Sequence, residues 1–172
     1  MKERSNNIPY AEGYLDELTS SLRKIDLNEV DAAIELLIEA HKKGSKIFTA
    51  GNGGSSATAS HIVCDFNKGI SAHTEDKFDM LCLSDSIPTI TAIANDVSYE
   101  DIFVLQLDGK MKKGDLLILI SGSGNSKNIV KAAEYAKGMG NKVIALTGYD
   151  GGKLYKMADV NIHFPLHDMQ KS

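Results

Sequence analysis

Five short apolar runs punctuate the chain, at residues 46–50, 78–83, 116–120, 142–146 and 160–164, each of strand length and apolar almost throughout. Between them, apolar residues recur at three- and four-residue steps, the period of a helix face. Tyr14, Leu15, Leu18, Leu22 and Ile25 place a helix over about 10–25. Val30, Ile34, Leu37 and Ile38 place a second, with Asn28 as its cap and Gly44 ending it after the basic turn His41-Lys42-Lys43. Further helices are expected over about 57–67, then a short one after the turn at 84–88 and through 94 where Asn95-Asp96 breaks it, over 99–107, and briefly over 153–157. Behind Ser126 a helix carries Ile129, Val130, Ala133 and Ala136 on one side. Strands that alternate with helices and show little polar alternation belong to a parallel sheet covered on both faces. The class is α/β, and residues 1–172 read as a single domain, because no linker or low-complexity tract divides them. The helices at about 10–44 are more than a minimal α/β unit needs. The first packs either on its own sheet or against a neighbouring subunit.

Composition narrows the functional classes. A chain of 172 residues, 42% hydrophobic and 24% charged, is long enough for a real core and has the profile of a soluble globular protein. Its net charge of −4 is the wrong sign for a duplex nucleic-acid binder, so nucleic acid is not expected as a partner. No run approaches the ~20 apolar residues that span a bilayer, and MKERSNNIPY lacks the apolar stretch of a signal peptide. Cys64 and Cys82 are too few for a disulfide scaffold and suit a reducing cytoplasm, with two half-buried thiols as the plain expectation.

Ligands of such sheets sit beyond the carboxyl ends of the strands. Two small-residue loops fall there, Gly51-Asn-Gly-Gly-Ser-Ser56 and Ser121-Gly-Ser-Gly-Asn-Ser126, together with Asp85 and Thr147, and topology places them beside one pocket. Each loop opens a helix, whose unpaired N–H groups and positive dipole end suit a phosphate. The hydroxyls of Ser121, Ser123 and Ser126 add neutral donors. Neither loop has the Gly-Lys-Ser/Thr ending of a Walker A motif. The dinucleotide fingerprint is half met: Gly51 and Gly53, or Gly122 and Gly124, fit its first and third positions, but Ser56 or Lys127 stands at the sixth. Asp85 keeps a nucleotide open as ligand, and a plain strand-to-helix turn capped by Ser126 is the reading without function.

His61 and Asp65 lie four apart on the helix after the first loop, where side chains share a face with Cβ atoms about 6 Å apart. An imidazole and a carboxylate so placed can hold a divalent metal given further ligands, transfer protons, or simply hydrogen-bond at the surface. His41, His73, His163 and His167 read as structural.

Taken together, these residues resemble the sugar isomerase (SIS) family, and within it the phosphoheptose isomerases, which act on sedoheptulose 7-phosphate. The likeness is carried by Ala50-Gly-Asn-Gly-Gly-Ser-Ser56 with His61, by Ala92-Ile-Ala-Asn-Asp96, by Ile120-Ser-Gly-Ser-Gly-Asn-Ser126 and by Leu146-Thr-Gly-Tyr-Asp-Gly-Gly152, and it runs from about residue 10 to 165. It implies a three-layer αβα sandwich around a five-stranded parallel sheet (the SIS, flavodoxin-like fold), assembled as a homotetramer. It implies that Ser121, Ser123 and Ser126, with the Gly122 backbone, hold the sugar phosphate, and that Asn52, Gly53, Gly54, Ser55, Asn95 and Asp96 line the sugar. His61 matches a zinc ligand of the metal-binding members. Position 65 matches a glutamate that is both ligand and catalytic base, so His61 and Asp65 are the implied catalytic and metal residues and zinc the implied cofactor.

Two departures stand out. Asp65 is one methylene shorter than glutamate, about 1.5 Å less reach, where a misplacement near 1 Å can cost ~10²-fold. The family's C-terminal helix, whose histidine serves as ligand and general acid, has no counterpart up to Ser172, and Gln170 falls only near the family's glutamine ligand. The activity implied is aldose–ketose isomerisation, sedoheptulose 7-phosphate to glycero-manno-heptose 7-phosphate in heptose biosynthesis. The alternative, favoured by the two departures, is a non-catalytic SIS protein that binds phosphosugars or regulates replication initiation.

Overall fold

The computed structural model describes residues 7–166. At its centre runs β3 (Leu116–Ser121), every residue of which is buried. It pairs with β1 (Lys46–Gly51) and β4 (Lys142–Thr147), and β2 (Asp79–Cys82) and β5 (Val160–His163) form the edges of a parallel sheet ordered β2-β1-β3-β4-β5. The order reverses between β1 and β3, which is the switch point where such sheets open a crevice. Register sets Gly51 beside Ile120, so the two small-residue loops leave the sheet at the same height.

Successive strand residues point to opposite faces. Phe48, Ala50, Leu117, Leu119, Val143 and Ala145 pack against α4 (Ile87–Asp96), α5 (Val104–Leu107), α6 (Lys127–Gly138) and α7 (Gly152–Met157). Ile47, Leu116, Ile118 and Ile144 pack against α2 (Leu27–Lys42) and α3 (Gly54–Cys64). The three-layer αβα sandwich with five parallel strands is therefore as expected. Both faces being covered is why the strands read as continuous apolar runs. Leu119 and Ile129 are fully buried, and truncating either to alanine costs about 2–5 kcal/mol.

Several local expectations need correcting. Asp26, not Asn28, caps α2: its carboxylate accepts the Asn28 N–H at 2.9 Å, so the helix starts at Leu27. The face of α2 on the sheet is Ala33, Leu36, Leu37 and Ala40, because the small alanines allow close approach, while Ile34 and Ile38 of the expected stripe are exposed. Asn95 and Asp96 complete α4 rather than break it. Residues 99–107 do not form one helix: a 3-10 turn at Tyr99–Asp101, capped by Ser98, precedes Ile102 and Phe103, which both turn into the core before α5. Cys64 is exposed and Cys82 buried, instead of both being half-buried. Burial pushes the Cys82 thiol up, which keeps it a neutral core residue.

α1 (Ile8–Leu22) is a helix as expected, but Ser21 is its only buried residue. Leu15 and Leu22 are 58% and 52% exposed. No helix among the described residues is long and apolar enough to cross a membrane.

Candidate active site

β3 runs out at Ser121 and the chain turns before α6. Gly124 has φ +60°, and a Cβ there would come within 1.8 Å of the Gly151 carbonyl oxygen, so only glycine fits. The carbonyls of this loop are tied back into the fold: the Gly148 N–H donates to Gly122 O and the Leu154 N–H to Gly124 O, both at 2.9 Å. Hydroxyl and amide donors are what remain for a ligand. The Ser121 Oγ accepts the Gly124 N–H at 3.2 Å and the Ser123 Oγ accepts the Asn125 N–H at 3.3 Å, which leaves each O–H to donate elsewhere. Ser126 stands at the N-cap of α6 but its side chain makes no capping bond, so capping does not account for this serine.

The loop after β1 is folded as tightly. A Cβ at Gly51 would lie 2.4 Å from the Ser55 carbonyl oxygen, so the first turn of α3 rests directly on the end of the strand. Between the two loops opens a cavity of roughly 1040 Å³. Asn52, Gly54 and Ser55 line it from the first loop, and Ser121, Gly122, Ser123 and Ser126 from the second. Thr147 lines it as topology suggested, whereas Asp85 does not. Leu18, Leu22 and Ile25 add an apolar wall from the N-terminal segment. No lysine or arginine is among the described residues that line it, and Lys127, the first residue of α6, donates to Glu100 at 2.7 Å. An anion here would meet neutral donors and the positive end of α6.

The remaining candidates lie outside that lining. Gly53, with φ +54°, forms the turn into α3. Asn95 and Asp96 sit exposed at the end of α4, where Asn95 Nδ2 donates to Asp96 Oδ1 at 2.8 Å. His61 on α3, and Asp65 just past its end, follow the cavity-lining Gly54 and Thr58 at three- and four-residue steps. His61 Nε2 is 3.3 Å from Asp65 Oδ2, with the side chains 75% and 63% exposed. Their imidazole and carboxylate are donors zinc accepts, two of the roughly four it takes. No cluster of three or more such ligands forms among the described residues.

The helix expected over 57–67 changes character at Asp65, where a π-helical turn, Asp65–Ile70, begins. Its anchor is Asn67, which donates to Met80 O at 2.9 Å and accepts the Met80 N–H at 3.0 Å, in the manner of a neighbouring strand. Wide turns of this kind recur at functional positions. His163 Nδ1 and Thr147 Oγ1 are 2.9 Å apart. His167 and Gln170 fall outside the described residues.

Thr58 and Asn125 also line the cavity, and Asn128 and Tyr99 bond to Asn52 of that lining; none of the four was singled out from the sequence. Asn128 had a signal, a polar residue four and eight positions before the small buried residues Ala132 and Ala136. Tyr99 rides on the 3-10 turn, which is bound to α6 through Lys127–Glu100 and Lys131–Asp101 pairs at 2.7 and 2.8 Å. Hydrogen bonds from Lys127 to Glu100 and from Lys131 to Asp101 hold both carboxyls below their usual range, and the Asp101 bond raises Lys131 in turn.

A parallel sheet of this order, with a donor-lined cavity between two glycine/serine loops at its switch point, has the architecture of phosphosugar-handling α/β domains, and residues 13–148 match the SIS domain. The chain belongs to the SIS domain family. It is 37% identical over 139 residues to a phosphoheptose isomerase of Aliarcobacter butzleri, spanning 81% of this chain and 73% of that one. It is 41% identical over 143 residues to a phosphoheptose isomerase of Helicobacter pylori, spanning 79% and 70%. The solved structure of a phosphoheptose isomerase from Neisseria gonorrhoeae aligns with a TM-score of 0.88 at 30% identity, over 96% of this chain and 90% of that one.

Proposed function

We propose that this protein is a phosphoheptose isomerase, an aldose–ketose isomerase that converts sedoheptulose 7-phosphate to glycero-manno-heptose 7-phosphate. The observation that carries the proposal is the cavity at the β1/β3 switch point, with serine hydroxyls on one side and the Asn52–Ser55 turn on the other. The phosphate sits against Ser121, Ser123, Ser126 and the Gly122 backbone. Binding energy from that remote group orients the reacting end toward α3. Gly53 and the Asn95–Asp96 pair complete the sugar site.

The reaction moves a proton between neighbouring carbons through an enediol. Asp65 takes the proton from one carbon and returns it to the other, the carbonyl oxygen gains a proton as the enediol forms and the neighbouring hydroxyl gives one up as it collapses, and His61, 3.3 Å away, steadies the carboxylate. His61 and Asp65 would also hold zinc, which when bound polarises the sugar carbonyl. The open apolar stripes of α1 and α2, with Leu15, Leu22, Ile34 and Ile38 exposed, support a homotetramer in which neighbouring copies cover them.

A coupled assay with sedoheptulose 7-phosphate on the intact protein, with and without zinc, tests the proposal. Turnover is expected. Binding without turnover in either condition would transfer the protein to the non-catalytic reading, which the exposed, shortened carboxylate at Asp65 favours. Neither binding nor turnover would reject both.

A further inference from the structure

The two loops around the cavity are joined behind it by a pair of asparagine amides. Asn52 donates from Nδ2 to Asn128 Oδ1 at 2.9 Å, and Asn128 donates from Nδ2 to Asn52 Oδ1 at 2.9 Å. Asn128 is 2% exposed. Which end of an amide is oxygen is decided by its partners. Here a backbone group decides it: the Ile129 N–H, which can only donate, meets Asn128 Oδ1 at 2.9 Å. That turns the Asn128 nitrogen toward Asn52, and so turns the Asn52 oxygen toward Asn128. The Tyr99 hydroxyl donates to the same Asn52 oxygen at 3.0 Å. Both acceptor sites of that oxygen are then occupied, and one of the two Asn52 N–H bonds is used. Among the described residues the other N–H has no partner, and Asn52 lines the cavity.

We infer that Asn128 and Tyr99 are positioning residues that lock Asn52 as a hydrogen-bond donor, so that the first loop donates to a sugar oxygen with free lone pairs. An ammonium group, which only donates, finds no partner there. The inference rests on the cavity being the sugar-phosphate site proposed above. The lock is anchored on α6 at both ends, through Asn128 itself and through the Lys127 and Lys131 ion pairs that hold the Tyr99 turn.

Asn128→Asp is the informative variant. It keeps the shape and the acceptor for the Ile129 N–H, but sets a carboxylate oxygen against the Asn52 oxygen. Protonating that carboxyl puts an O–H where the lost N–H was. The experiment titrates wild type and variant with sedoheptulose 7-phosphate and, separately, with inorganic phosphate across pH. The side-chain amide NMR signals of Asn52 are recorded before any ligand is added. At neutral pH the variant is expected to bind the sugar phosphate about tenfold or more weakly, the order of one lost hydrogen bond with its partner left facing a like charge. Its affinity returns toward wild type as pH falls through the pKa of the introduced carboxyl, while inorganic phosphate, which meets the new charge but not Asn52, is weakened by a clearly smaller factor at neutral pH. Tyr99→Phe, which removes one hydroxyl from an exposed ring, gives a loss of about two- to tenfold with unchanged unfolding. The lock is overturned if Asn128→Asp binds the sugar phosphate as wild type does at neutral pH, or if both ligands weaken by the same factor. A wild type whose unliganded Asn52 shows one bonded and one solvent-facing N–H, yet ignores sedoheptulose 7-phosphate, sustains the lock and refutes the isomerase reading instead.

Discussion

In the loop after β3, Ser121 is buried, the Gly122 and Gly124 carbonyls accept from Gly148 and Leu154, and position 124 has no room for a side chain. At the outer end of α3 and the start of the π-helical turn, His61 and Asp65 stand mostly in solvent, with Nε2 and Oδ2 3.3 Å apart. The first region is determined by the surrounding fold several times over, and the second hardly at all. A phosphate cradle benefits from being preformed, since donors already in place need not be ordered when the anion arrives. A proton-transferring carboxylate can instead be ordered by what joins it, whether substrate, metal or a neighbouring subunit. The Ser121–Ser126 loop is thus preformed by its own fold, while the outer end of α3 carries the one-methylene departure from the family pattern at Asp65.

Substitutions that strike one region and spare the other test this division. The largest effect is expected from Asp65→Asn, which removes the proposed base: kcat falls by about 10²- to 10⁴-fold. Sugar-phosphate affinity measured by calorimetry stays close to wild type, and unfolding shifts by no more than about 0.5 kcal/mol, as for other exposed positions. A matching loss of affinity would mean that the two regions are not separable. Gly124→Ala attacks the cradle from behind, where the left-handed backbone and the Gly151 carbonyl both oppose a methyl group. Denaturant unfolding should show a loss of about 3 kcal/mol or more, with ligand binding lost alongside. Ser123→Ala leaves the fold intact and weakens sugar-phosphate binding by about 1–3 kcal/mol, the cost of one hydrogen bond to a charged group. An unchanged affinity would place the phosphate elsewhere. Asn67→Ala frees the π-helical turn from Met80 and lowers stability by about 1–2 kcal/mol, with kcat reduced more than affinity.

The smallest effect concerns acid. The Glu100 and Asp101 carboxyls are depressed in the folded state by their lysine partners. A depressed carboxyl contributes stability in full above its unfolded pKa, about 4, and loses that contribution as pH falls through its folded value. The tie between the Tyr99 turn and α6 is therefore intact at neutral pH and released only below about pH 4. Exposed ion pairs contribute little. The check is the denaturation midpoint at neutral and acid pH for wild type and Lys131→Ala. The variant should show the smaller difference between the two conditions.

How far the molecule could be read from its residues follows the same division. The strands are legible because both faces of the sheet are covered, so a run such as 116–120 needs no polar alternation to be recognised. The loops are legible because few residues tolerate the turns at Gly51 and Gly124. Choices among near neighbours are not legible: Asp26 and Asn28 can both cap α2, and side-chain geometry selects between them. Nor are contacts between distant segments. Asn67 and Met80 meet across the edge of the sheet, and Asn52 and Asn128 lie 76 positions apart, so neither pair leaves a local pattern. The helical period of α1 shows which face is apolar, not what covers it. The family resemblance identified Asp65 as a short stand-in for glutamate, but the π-helical turn that begins there depends on a tertiary contact.

The central claim is that the Ser121–Ser126 loop grips the phosphate and thereby aims the sugar. Calorimetric titration of the intact protein with sedoheptulose 7-phosphate and with sedoheptulose lacking the phosphate tests it most directly. The phosphorylated sugar is expected to bind at least about a hundredfold more tightly, with Ser123→Ala narrowing the gap, since charge-assisted hydrogen bonds are the stronger kind. Equal binding of the two sugars, or a gap that Ser123→Ala leaves untouched, would contradict it.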